Sequence, residues 1–99
     1  MTDQDESEPT VVEWSADGAL MIEIDSSGAG VRVQVEPEAA QSWGAEVLAD
    51  RIMRLHRLAL MRARADARLR ANESGIALPP SRGWPSLADV DQYRRTIDF

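Results

Sequence analysis

The chain contains no cysteine. Disulfides and thiolate chemistry are therefore excluded, and the composition fits a reducing compartment such as the cytoplasm. Lysine is also absent, so all eleven basic residues are arginine. There is one histidine, His56, and a zinc-type site built on it would lack a second imidazole or any thiolate. Nucleophile–base catalysis has no identifiable nucleophile. No apolar run approaches the length of a membrane span. The start, "MTDQDESEPT", is acidic and polar, unlike the basic start and apolar core of a signal peptide. These absences argue against an enzyme, a bound cofactor, a metal centre and a membrane partner.

What remains is a 99-residue chain with 43% hydrophobic and 28% charged residues, enough for one globular domain. Its formal net charge is −6, unevenly spread. Residues 1–50 carry twelve acids and one base, Arg32, whereas residues 51–99 carry ten arginines and five acids. Such asymmetry suggests an electrostatic partner, or screening of one half by the other.

Residues 1–9 are polar and charged, ending in Pro9, and read as a disordered acidic tail. "TVVEWS" (Thr10–Ser15) is β-branched and aromatic and reads as a strand. "ADG" is a turn. In "ALMIEID" (Ala19–Asp25), Leu20, Ile22 and Ile24 alternate with Met21, Glu23 and Asp25. "SSGAG" is a hairpin loop. "VRVQVE" (Val31–Glu36) places Val31, Val33 and Val35 on one face, expected to be buried, and Pro37 ends it. These segments predict an antiparallel three-stranded meander. "PEAAQSW" reads as a connector. A helix of roughly 29 residues is expected from about Gly44 to Glu73, with Trp43 and Leu48 as a hydrophobic staple and Gly75 as its stop. Its wide apolar side includes Leu48, Ile52, Leu55 and Ala59, more than a small sheet should cover, so these four are expected at a homodimer interface. "IALPPSRGWP" is extended. A short C-terminal helix follows, with Ser86 and Asp89 in capping-box spacing. Trp84, Leu87 and Tyr93 of this tail are candidates to bind a protein client, or to dock on their own domain. The expected class is α+β: meander, one long helix and a short terminal helix, with a core unit over residues 10–75 and a tail over 76–99.

"RIMRLHRLALMRARADARLR" (Arg51–Arg70) concentrates seven arginines. Arg54, Arg57, Arg64 and Arg68 recur at intervals of three, seven and four, which keeps them on one helical stripe opposite the apolar side, with Met61 among them. Arginine pairs with phosphate in bidentate fashion, so this stripe could track DNA. A solvated face partly paired with acids is the plainer reading. His56 reads as a helix-packing residue. Glu23 and Asp25 read as solvent-facing strand carboxylates, with no sign of a pocket for acid–base work. "GAG" (Gly28–Gly30) precedes a strand rather than a helix, so it fails as a phosphate loop.

The hairpin "IEIDSSGAGVRVQVEPEA" and the helix "GAEVLADRIMRLHRLALMRARA" together resemble the YbaB/EbfC family of nucleoid-associated proteins. The resemblance covers about residues 10–70, without a counterpart of the family's leading helix. It implies a cytoplasmic, nucleoid-associated homodimer that binds DNA with little sequence preference. The "LADRI" helix start (Leu48–Ile52) and acidic N-terminal region are also similar to an EspH-like branch associated with type VII (ESX) secretion. That similarity implies an accessory or chaperone-like protein–protein adaptor.

Overall fold

A computed structural model of the chain describes residues 10–99; the acidic tail expected over residues 1–9 lies outside them. The order is β1 (Val11–Trp14), β2 (Leu20–Ile24), β3 (Gly30–Val35), α1 (Pro37–Glu73) and α2 (Leu87–Arg94). The strands form one antiparallel sheet in the order β1-β2-β3, which is the predicted meander. Two aspartates close its turns. Asp17 accepts from the backbone N–H of Ala19 and from the Ser15 hydroxyl. Asp25 accepts from the N–H groups of Ser27 and Ala29. The register slips between Glu23 and Ile24, where β3 carries one extra residue, a β-bulge.

The inner face of β2 supplies the core. Leu20, Ile22 and Ile24 are buried against Leu55, Leu58 and Ala59 of α1. Leu60 lies so close to the β2–β3 hairpin that a Cβ on Gly28 would stand 2.7 Å from its Cδ1. Gly28 also has φ +92°, so glycine is required there twice over. His56 Nε2 donates to the Gly28 carbonyl at 3.1 Å, which selects the Nε2–H tautomer and pins the helix to the hairpin.

"PEAAQSW" is helical, not a connector. Pro37 opens a first helical segment, where its missing N–H costs nothing. Gly44, at φ 78° and ψ 168°, breaks the helix, and the long segment restarts after it. Helix α1 ends in a Schellman pattern around Gly75, with Ile76 N–H donating to Ala71 O and Gly75 N–H to Asn72 O. The Ser86–Asp89 capping box that starts α2 is formed in both directions.

Two expectations of burial need correction. Val31 and Val33 are not core residues: they are 56% and 44% exposed, because α1 lies over β1 and β2 and barely reaches β3. Leu55 and Ala59 are wholly covered by their own chain, and Leu48 and Ile52 are half-buried against the same core. Leu55 and Ala59 are therefore not available to a second copy, while Val47 and Met53 of the same helix stay exposed. The missing cover is the tail. Val90 and Phe99 are buried, and Tyr93 and Ile97 pack beside them, so the segment after Gly75 completes the core rather than hanging free.

Candidate functional site: the arginine face of the long helix

The arginines of α1 fall into two sets. One set is consumed by the fold. Arg62 reaches the β1 edge, donating to Val12 O at 3.2 Å and to the Glu13 carboxylate at 2.9 Å. Glu13 sits on the inner face of β1, opposite Ile22, and is 3% exposed. Arg94 of α2 closes on the same carboxylate through two bonds, of 2.5 and 3.1 Å. A buried carboxylate is tolerable only when paired in this way. Glu13 in turn holds the Arg94 proton more tightly than usual. No motif announced this cluster: Glu13 and its two arginines lie 49 and 81 residues apart.

Arg68 belongs to this set as well, against expectation. It is 8% exposed, and it donates to Pro85 O and Leu78 O, both at 3.3 Å. Helical spacing placed it on the open stripe, but the tail segment carrying Leu78 and Pro85 covers that side and encloses it. Arg54 donates to Thr96 O and pairs with Asp50 and Asp98 at 3.7 Å each. Its guanidinium also lies 5.1 Å from the Phe99 ring centroid. Arg51 stacks over Trp43 at 4.3 Å, and Trp43 meets Phe99 edge to face at 6.5 Å. Cation–π contacts of this kind contribute roughly 0.5–2 kcal/mol.

The second set stays open. Arg57, Arg64 and Arg70 are exposed and have no carboxylate partner among the described residues, and of these Arg57 and Arg64 belong to the predicted stripe. Arg57 touches only the Tyr93 ring, 5.4 Å from its centroid. It shares a shallow depression with Met61, Arg82 and Asp89. Arg64 lines a neighbouring depression with Ser27, Leu60 and Trp84. The predicted four-arginine stripe is therefore two arginines, joined by Arg82 from the tail, with Trp84 beside them at 40% exposure. Arg82 was missed because its place on this face depends on how the tail folds. Of the tail residues considered for a client, Leu87 is 49% exposed, while Tyr93 is half-buried on its own core.

The other sequence candidates resolve simply. Glu23 pairs across the strands with Arg32 at 3.4 Å. The Ser27 hydroxyl bonds the Asp25 carboxylate at 2.6 Å and holds it below its ordinary pKa; the backbone N–H bonds of the loop add to this against a weaker opposing effect of burial. An acid held ionised in a turn is poorly suited to proton transfer at neutral pH. Among the described residues, no three histidines or carboxylates gather as a metal would require. No described helix is long and apolar enough to cross a membrane. The chain matches no family model, no curated protein and no solved structure.

Proposed function

We propose that this chain is a non-enzymatic, YbaB/EbfC-like DNA-binding protein that engages phosphates through Arg57, Arg64 and Arg82. The observation that carries this reading is the sorting of the arginines. The fold uses Arg54, Arg62, Arg68 and Arg94 internally, and leaves these three exposed on two adjoining depressions without ion-pair partners among the described residues; Arg70 and Arg95, also exposed and unpaired, lie outside those depressions. Exposed guanidinium groups with Trp84 alongside suit a phosphate backbone and a stacking base. Phosphate contacts position a protein without reading sequence, so affinity should vary little between duplexes.

The test is fluorescence anisotropy of a labelled duplex across a salt series. Three neutralised phosphates give log K against log salt a slope of about −2.7. Arg57→Gln with Arg64→Gln should flatten it by about 2 and leave helicity unchanged. Absence of binding at low salt, or an unchanged slope in the double variant, overturns the reading. A protein client is the second reading, in the manner of a secretion-associated adaptor. It is favoured by Trp84 and Leu87, apolar side chains the tail leaves open. A pull-down with and without nuclease separates the two: a captured protein that survives nuclease and is lost in Trp84→Ala supports the client.

A further inference from the structure

The segment "LPPSRGWP" (Leu78–Pro85) is irregular, yet its backbone is held throughout. Leu78 N–H donates to the Asn72 side chain at 2.9 Å. The buried Arg68 donates to the carbonyls of Leu78 and Pro85, one at each end of the segment. Between them, Ser81 and Trp84 close a tight turn. Ser81 N–H donates to Trp84 O at 2.9 Å, and Trp84 N–H donates back to Ser81 O and to the Ser81 hydroxyl, both at 3.2 Å. Pro79, Pro80 and Pro85 fix φ on either side of that turn. The backbone beneath Trp84 is thus rigid, while its side chain stays 40% exposed. A ring left open contributes less burial to the fold than one in the core. A ring fixed beforehand loses little freedom when something binds to it.

Trp84 lines a depression of about 400 Å³ together with Leu60, Ala63 and Ala67 of α1 and Ser27 of the β2–β3 turn. That size suits a small planar group, and the lining is largely apolar. Arg64 is the one charged side chain among the described residues that line it. Arg57 and Arg82 line the adjoining depression. We infer that this site takes one unpaired base of a single-stranded nucleic acid, stacked on Trp84, with its phosphates on Arg64 and on Arg57 and Arg82 beside it. The inference rests on the nucleic-acid reading and narrows its substrate: the single strand is preferred and the duplex is secondary. Bases in a duplex present only their edges to the grooves. To offer a face to Trp84, a paired base must first be unstacked and flipped out, which costs free energy that an unpaired base does not require. A stacking platform beside cationic groups is the combination that single strands exploit. An apolar protein segment would also fit the lining, but arginines without carboxylate partners favour a polyanion.

The test is fluorescence anisotropy of the full chain at low salt with three labelled DNA probes of equal length: a mixed-sequence single strand, the duplex of the same sequence, and a single strand of abasic sites. The single strand should bind about tenfold more tightly than either of the others, the scale of one base stacked on an aromatic ring. Charge alone predicts the reverse order for the duplex, which releases more counterions per neutralised phosphate. The abasic strand keeps the phosphates and lacks every base, so it isolates the stacking contribution. Trp84→Ala should lower the affinity for the normal strand to that for the abasic one and leave duplex affinity nearly unchanged. Trp84→Phe, which keeps a ring, should retain the wild-type order of the probes. Circular dichroism melts of both variants should match the wild type, because the Ser81–Trp84 turn is closed by backbone groups and the Ser81 hydroxyl. A preference for duplex, equal affinity for normal and abasic strands, or a preference that survives Trp84→Ala overturns the inference while phosphate binding stands. No binding to any probe overturns both, so the two failures are distinguishable.

Discussion

The β1 side and the β3 side of this small sheet carry opposite chemistry. On the β1 side the inner face holds a carboxylate and a hydroxyl, Glu13 and Ser15, and both are buried. On the β3 side the inner face holds valines, and two of them are exposed. Hydropathy alone would reverse this. The difference is one of cover. α1 and the tail converge on β1, bringing Arg62 and Arg94 to Glu13 and the Phe99 carbonyl to Ala16. Among the described residues outside the sheet, only a marginal contact from α1 reaches β3. Burial here follows what the rest of the fold delivers to a face, and polarity is accommodated by pairing.

The tail is the source of that cover, so its removal should give the largest effect. Deleting residues 76–99 uncovers the face held by Val90 and Phe99, each worth roughly 1.5–3 kcal/mol of burial. It also takes one partner from Glu13 and both carbonyl partners from Arg68. Against a total stability of about 5–15 kcal/mol, the truncated chain should lose most of its cooperative melt in circular dichroism. A melting temperature near that of the full chain would mean that the two sides differ for another reason.

How much of this was open to reading in the chain itself divides along the same line. Features set by neighbours in sequence were legible. The alternation of Leu20, Ile22 and Ile24, the turns at "ADG" and "SSGAG", the stop at Gly75 and the Ser86–Asp89 box each follow from neighbours in sequence, although Asp25, read as a strand residue, proved to cap the second turn. The start of the long segment near Gly44 also showed, although the helical turns before it did not, since "PEAAQSW" is short and contains no strong apolar period. Features set at long range were not legible. Arg68 and Arg64 occupy the same stripe by spacing, and only the path of the tail makes one a buried structural group and the other an open one. The apolar breadth of α1 was real, and the tail packs on it alongside the sheet. The arginine density was legible as a candidate surface; which arginines remain available was not.

A narrower change should sharpen the contrast at β1. Glu13 is buried, whereas the Arg62 and Arg94 side chains are 43% and 44% exposed and can reach water on their own. The cluster should therefore respond asymmetrically. Removing both bases, with Arg62→Ala and Arg94→Ala, leaves a buried carboxylate without its two arginine partners and should cost about 3–5 kcal/mol. Replacing the acid, Glu13→Leu, leaves two solvated guanidinium groups over an apolar face and should cost much less. Urea denaturation of the two variants checks the order. Equal losses would show that the pairing, and not the desolvated carboxylate, dominates on this side.

The smallest effect concerns the two turns, where the sides of the sheet are alike. Asp17, at the β1–β2 turn, is held below its ordinary pKa first by the Ser15 hydroxyl and then by Ala19 N–H. Asp25, at the β2–β3 turn, is held down first by the Ser27 hydroxyl. Both carboxyls are depressed in the folded chain. Their contribution to stability is therefore fully present above the unfolded value of about 3.9 and is lost as pH falls through the lower folded value. Both groups face solvent, so screening keeps the contribution small. A chain carrying Asp17→Asn and Asp25→Asn should melt slightly below the wild type at neutral pH. The gap should hold down to about pH 4 and narrow below it. Thermal melts of both chains between pH 7 and pH 3 check the sign. A gap that widens on acidification would mean that the fold favours the protonated carboxyls of Asp17 and Asp25, the opposite of the lowered pKa values.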